Sequence, residues 1–210
     1  MEMTAARILQ LNGDMTRGSP MMQVVRRIHA LCNSRELPYC VIGGMAVIRN
    51  GCARTTIDVD VLTLKKSWLK ALPIEGEIAS EGIDNCLDKE TGVRVDILFA
   101  DEDWGMVIPM PDPRRVAEFD ESLGANFIGL HALVQLKTAV YLDKLREHGP
   151  TTAAKDLADV QALIKNNLIK FSREVLEGYD PAVRKLCMKA FDEVVREAKS
   201  AKKKRKDIEL

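Results

Sequence analysis

The chain has 210 residues, 46% hydrophobic and 30% charged, a composition normal for a soluble globular protein whose core needs no disulfides or structural metal. Lysine plus arginine and aspartate plus glutamate each number 31, so the formal net charge is zero and the chain carries no broad basic footprint for nucleic acid. No apolar run approaches the roughly 18 residues of a membrane span, no leader-like start is seen, and five scattered cysteines never form Cys-x-x-Cys, which sets aside membrane, secretory and zinc or redox-motif readings and predicts a cytoplasmic protein.

In chain order, Ser19-Pro20 predicts a helix start, with serine capping and proline at the first helical position. Met21, Val24, Val25, Ile28, Leu31 and Cys32 then recur at helical spacing and place the helix end near Ser34. Pro38 opens a short buried strand over residues 39–42, which stops at Gly43-Gly44. A short helix follows to Asn50, and Gly51 stands where a helix C-terminus favours a left-handed residue.

Residues 56–62 predict a strand with Ile57, Val59 and Val61 on one face and Asp58 and Asp60 on the other. A second strand carries Val93, Val95, Ile97 and Phe99 on one face, with Asp96 pointing the opposite way. Before it, Lys89-Glu90-Thr91-Gly92 reads as a hairpin turn with residues 83–87 as the partner strand. Residues 101–115 are expected to form a loop. From Leu130 the pattern turns helical, with helices expected over about 130–147, from Thr151 or Thr152 to about 166, and from Asp180-Pro181 into the basic tail. The expected fold class is thus α/β (α+β), a mixed sheet with flanking helices followed by a C-terminal helical region. The division expected is a core over 1–129 that includes the N-terminal helix, a helical region over 130–200, and a basic, frayed tail over 201–210, where Lys202-Lys203-Lys204-Arg205-Lys206 is continuous and a candidate RNA-attracting segment.

Two carboxylates at i and i+2 on a strand have Cα atoms roughly 6.6 Å apart on one face. Their side chains can converge on cations about 3.5–4 Å apart, the separation used in two-metal phosphoryl chemistry. Magnesium takes few carboxylate oxygens and keeps positions for water and phosphates, and Asp96 on a neighbouring strand would complete one shell. Gly43-Gly44, between a strand and a helix, would let backbone N–H groups approach a phosphate, with Arg54 as added charge. Alone, an Asp-x-Asp pair is a common solvated edge and Gly-Gly a common turn. Their conjunction with a matching third strand favours a phosphate cradle beside a metal site.

Competing motifs are absent. Gly43-Gly44-Met45-Ala46 lacks the third glycine of a dinucleotide fingerprint, and no Gly-Lys-Ser/Thr follows for a P-loop. His29, His131 and His148 form no His-Glu-x-x-His. Cys40 and Cys52 lie near the glycines, but no base is identifiable and core thiols are commoner.

These residues resemble the DNA-polymerase-β-type nucleotidyltransferase superfamily. Its signature, an apolar residue, Gly-Gly or Gly-Ser, a spacer, then Asp-apolar-Asp/Glu-apolar, reads here as Ile42-Gly43-Gly44, thirteen residues (45–57) and Asp58-Val59-Asp60-Val61. Asp96 in Val93-Arg94-Val95-Asp96-Ile97-Leu98 matches the family's third aspartate. The string Gly51-Cys52-Ala53-Arg54-Thr55-Thr56-Ile57-Asp58 looks like small bacterial members, including the AbiEii-like toxin nucleotidyltransferases. The resemblance covers about residues 38–165. A softer match is Leu136-Lys137 followed by Lys155-Asp156-Leu157-Ala158-Asp159-Val160, where the family's lysine is expected to meet nucleotide phosphates. Lys137 lies on an apolar helical face, so the alternative is a lysine snorkelling from the core's edge. Asp156 and Asp159, in a helix's first turns, suit the macrodipole whatever their function.

The resemblance implies transfer of a nucleoside monophosphate from an NTP such as ATP to an acceptor. Asp58, Asp60 and Asp96 would be the catalytic and metal-holding carboxylates for Mg²⁺ or Mn²⁺, and Gly43, Gly44, Arg54 and Lys137 would bind the nucleotide. The acceptor stays open among RNA or tRNA ends, protein side chains and small hydroxylated molecules. A toxin role would add an antitoxin protein as partner. Two other classes stay open: a non-catalytic NTP- or RNA-binding member of the fold, and a protein acting mainly through a cognate partner.

Overall fold

The structure is a computed structural model that describes residues 19–71, 78–80 and 84–208. Two compact units are present: one runs to Trp104 and resumes over Pro109–Leu133, and the other comprises Gly105–Ile108 and the chain from Val134 onward.

The first unit begins with α1 (Pro20–Ser34), capped as expected: Ser19 Oγ accepts from Met22 N at 3.2 Å, with Pro20 in the first turn. Its apolar stripe of Met21, Met22, Val24, Val25, Ile28 and Cys32 is buried. The strands are β1 (Tyr39–Val41), β2 (Asp58–Thr63), β3 (Ile78–Ser80), β4 (Asn85–Asp88), β5 (Arg94–Phe99), β6 (Ala117–Asp120) and β7 (Ala125–Ile128). They form one mixed sheet in the order β3-β4-β5-β2-β1-β7-β6. β2 and β5 run parallel, as do β1 and β7, and the remaining neighbours are antiparallel. The short β1 is wholly buried because it sits between β2 and β7, and α1 packs against both β2 and β7.

The hairpin over residues 89–92 is present, with Leu87 opposite Arg94 and Asn85 opposite Asp96; Ile83, in the expected partner strand, lies outside the described residues. The fully buried Asp88 fastens it. Its carboxylate accepts two bonds from Arg27 at 2.8 Å and one from Thr91 N at 2.8 Å, so α1 and the turn share one anion. An anion this buried needs such a complete set of donors to be tolerated.

Between β1 and β2 lies α2 (Gly43–Arg49), with Asn50 at its C-cap and Gly51 at φ 80°, the left-handed position expected. Within this unit, α3 (Lys65–Ala71), β3 and the β6–β7 hairpin have no counterpart in the sequence expectations. The last closes on Asp120, whose Oδ1 accepts from Leu123 N at 3.1 Å, with Gly124 at φ 72°. The expected loop over 101–115 is corrected at its end. Asp112 accepts from Arg114 N at 2.9 Å and Pro113 supplies a preset φ, so Pro113–Val116 forms a helical turn, α4.

The second unit is helical. Helix α5 (Leu130–His148) ends at Gly149, which takes φ 80°, and α6 (Pro150–Asn166) starts on the next residue. A 3₁₀ turn (Leu168–Lys170) and α7 (Arg173–Glu177) lead to α8 (Pro181–Ile208), against which α6 and α7 pack. The packing follows helical spacing, with Val183, Cys187, Ala190 and Val194 of α8 buried alongside Ala153, Val160, Leu163 and Ile164 of α6. Among the described residues no helix is long and apolar enough to cross a membrane. All five cysteines are free and buried.

Candidate active site

Strand alternation sends Val59 and Val61 into the core and leaves Asp58 and Asp60 half-buried on the opposite face. β5 repeats the pattern, with Val95 and Ile97 buried and Asp96 half-buried. Because β2 and β5 are parallel and in register, Asp60 stands beside Asp96 and Asp58 beside Arg94. The result is convergence. One carboxylate oxygen from each of Asp58, Asp60 and Asp96 lies within 4.8 Å of the others.

The glycine turn abuts this cluster. Ile42 N donates to Asp60 O at 2.9 Å, extending the β1–β2 ladder to the edge of the turn. A Cβ on Gly43 would fall 1.7 Å from Asp60 Oδ2, and Gly43 takes φ 59°, so no side chain fits. A Cβ on Gly44 would lie 2.4 Å from Thr56 Oγ1. That same Thr56 hydroxyl donates to Asp58 Oδ1 at 2.9 Å and so orients the first carboxylate. The two glycines are therefore required by the aspartate face itself, independently of any phosphate.

The third carboxylate is held differently. Arg94 Nε donates to Asp96 Oδ1 at 3.0 Å, while Arg94 Nη2 donates to Asn85 Oδ1 at 2.8 Å. Neither Thr56, Arg94 nor Asn85 was among the residues expected from the sequence. Arg94 carried a signal: it shares the period-2 face of Asp96.

Three hard oxygen donors on a rigid strand pair, with Gly43 leaving Asp60 uncovered, fit Mg²⁺ or Mn²⁺, which accept few protein carboxylates and keep other positions for water and phosphate. With such ions bound, this face could neutralise and align phosphates that the bare carboxylates would repel.

Two solved structures share this architecture. An antigenic nucleotidyltransferase-like protein from Paracoccidioides brasiliensis aligns over 89% of this chain and 92% of its own, at 15% identity and a TM-score of 0.56. ANT(2″)-Ia, solved in complex with adenylyl-2″-tobramycin, aligns over 81% of this chain and 98% of its own, at 12% identity and a TM-score of 0.50. The fold is that of the nucleotidyltransferases. No family model matches the sequence, and no curated protein matches it significantly.

Arg54 and Lys137 were the other residues expected from the sequence. Arg54 is half-buried in the segment joining α2 to β2. Lys137, on α5 in the helical unit, is 9% exposed and pairs with Asp156 Oδ1 at 2.9 Å and Asp159 Oδ2 at 3.0 Å. Lys144 completes the cluster at 2.7 Å from Asp156 Oδ2. Burial pushes the Asp156 carboxyl up, but the Lys137 charge and hydrogen bonds from Lys144 and Lys137 outweigh it and hold the group below its usual range. Burial pushes the Cys40 thiol up to about 12, which leaves it protonated near neutrality and unsuited to nucleophilic attack.

Proposed function

We propose that this protein is a metal-dependent nucleotidyltransferase that moves a nucleoside monophosphate from an NTP to an acceptor hydroxyl and releases pyrophosphate. The observation that carries this reading is the meeting of Asp58, Asp60 and Asp96 oxygens within 4.8 Å beside a side-chain-free turn. The nucleotidyltransferase fold supports it.

Asp58 and Asp60 would hold Mg²⁺ or Mn²⁺, with Asp96 as a third carboxylate ligand. When bound, the metal supplies charge neutralisation for the phosphates. The acceptor oxygen bonds to the α-phosphorus as the bond to the bridging oxygen of the β-phosphate breaks. The electron pair departs with pyrophosphate, and the acceptor proton is drawn toward Asp96. The backbone at Gly43 and Gly44 receives the β- and γ-phosphates, and Arg54 adds positive charge. Lys137 is the second charge partner in this reading, and a phosphate there competes with Asp156 and Asp159 for its ammonium.

ATP is the first nucleotide to test. RNA or tRNA is the acceptor favoured by the basic run over residues 202–206, and the Gly51-to-Asp58 string favours a small toxin-type enzyme of the AbiEii-like kind with an antitoxin partner, working in the cytoplasm. The test is incubation with total RNA, cell extract or hydroxylated small molecules and each α-labelled NTP. Label should move to an acceptor with Mg²⁺ or Mn²⁺, stop on chelation, and fall by about two orders of magnitude or more in Asp60→Asn. Unchanged transfer in that variant would overturn the assignment. Binding of NTP without transfer to any acceptor would favour a non-catalytic member of the fold.

A further inference from the structure

Four side chains share the face that β2 and β5 present together. The register sets Asp58 beside Arg94 and Asp60 beside Asp96, so three carboxylates and one guanidinium occupy the corners of one block. Arg94 is no bystander. Its Nε donates to Asp96 Oδ1 at 3.0 Å and its Nη2 to Asn85 Oδ1 at 2.8 Å, while Asn85 Nδ2 donates to Asp84 Oδ1 at 2.7 Å. Asn85 stands opposite Asp96 on β4, so the tether comes from the strand on the far side of the site.

We propose that Arg94, held by Asn85, is the resident counter-cation of Asp96: a divalent ion must displace it to gain its third carboxylate, and the oxyanions of an incoming nucleotide triphosphate draw it away. This rests on the metal-binding reading given above.

The chemistry runs through charge and lone pairs. Three carboxylates within 4.8 Å of one another repel, and one guanidinium relieves part of that repulsion without an ion. Its N–H occupies a lone pair of Oδ1, a direction a cation would otherwise use. The exchange is feasible because the Arg94 side chain is 60% exposed, and exposed ion pairs of this kind are weakly held. A guanidinium matches phosphate oxygens at least as well as a carboxylate, so a triphosphate arriving at this face offers it a replacement partner. Asp96 is thus a weaker metal ligand until substrate draws Arg94 away, which couples full strength of the metal site to nucleotide arrival.

The experiment is an Mn²⁺ titration of the full chain followed by electron paramagnetic resonance, without nucleotide and then with a non-hydrolysable ATP analogue. Without nucleotide, Arg94→Gln should bind Mn²⁺ about tenfold more tightly than the wild type, from removal of a neighbouring positive charge. Asn85→Ala, which changes no charge, should bind about threefold more tightly through loss of the tethering hydrogen bond. With the analogue, both differences should shrink. Arg94→Lys keeps the charge but loses the fork that spans Asn85 and Asp96, and should fall between wild type and Arg94→Gln. It carries the test should Asn85→Ala prove unstable in a thermal melt. Wild-type affinity in both Asn85→Ala and Arg94→Lys, or weaker binding in Arg94→Gln, would overturn the inference while leaving the metal site intact. Absence of Mn²⁺ binding in the wild type would overturn the metal site and this inference together.

Discussion

Gly43 and Asp60 meet so closely that the missing side chain of the first makes room for the carboxylate of the second. A Cβ at position 43 would lie 1.7 Å from Asp60 Oδ2 and 2.5 Å from its Cγ. The contact follows from the strand pairing: the bond from Ile42 N to Asp60 O brings the chain past the aspartate just as it turns into α2. Turn and carboxylate face are one construction.

Gly43→Ala should therefore fail twice. Alanine at φ 59° costs about 1–2 kcal/mol in backbone strain, and its methyl must expel the Asp60 carboxylate. Thermal melts should show a lowered midpoint, and Mn²⁺ titration should show affinity lost by at least about tenfold, with the binding loss exceeding what the strain alone would give.

Thr56 tests how much orientation of Asp58 matters. Thr56→Val removes the hydroxyl that donates to Asp58 Oδ1 at 2.9 Å while keeping the side-chain volume, whereas Thr56→Ser keeps the donor. A hydrogen bond to a charged group contributes about 1.5–3 kcal/mol, so Mn²⁺ affinity should drop about tenfold in the valine variant and be restored in the serine variant. Equal loss in both would show that the methyl group, not the hydroxyl, is what the site needs.

The buried Lys137–Asp156–Asp159 cluster predicts a pH-dependent stability. The folded-state pKa of Asp156 lies below its ordinary 3.8, so its contribution is fully present above that value and is lost as pH falls through the lower folded value. Lys137→Met should cost about 3 kcal/mol near neutrality, because Asp159 loses the Lys137 charge while Asp156 keeps Lys144. Denaturant unfolding at neutral pH and in acid should show this gap narrowing as Asp156 protonates. A gap that widened in acid would contradict the assignment.

The cysteines should be inert in the folded protein. Burial pushes the Cys32 thiol up to about 12, with the neighbouring Cys86 adding to the effect, and burial alone does the same to Cys40. Iodoacetamide at mildly alkaline pH followed by mass spectrometry should label them only after unfolding. Cys40→Ser should leave transfer activity standing.

Local pattern made much of this molecule legible. The cap at Ser19-Pro20, the apolar stripe of α1 and the left-handed Gly51 are each written in a few adjacent residues, and the structure realises them. Of the short strands, β1 showed as an apolar run between Pro38 and Gly43-Gly44 and β4 as the partner across a turn, but β3, β6 and β7 were not legible in the same way. β3 has three residues and β6 and β7 four each, too few for a period to stand out, and their pairing comes from distant strands. Lys137 shows the limit most directly. Its place on an apolar helical face was visible, but the carboxylates that neutralise it come from the next helix.

At the site the division is sharp. Period-2 alternation is a property of one strand, so residues 58–61 and 93–97 by themselves determine that Asp58, Asp60 and Asp96 point away from the valines of the core, although Ile57, expected among those core residues, is exposed. Which strands become neighbours, and in what register, depends on long-range closure of the sheet. Only that closure set Asp60 beside Asp96, pressed Gly43 against Asp60, and placed Arg94 at the fourth corner of the same face.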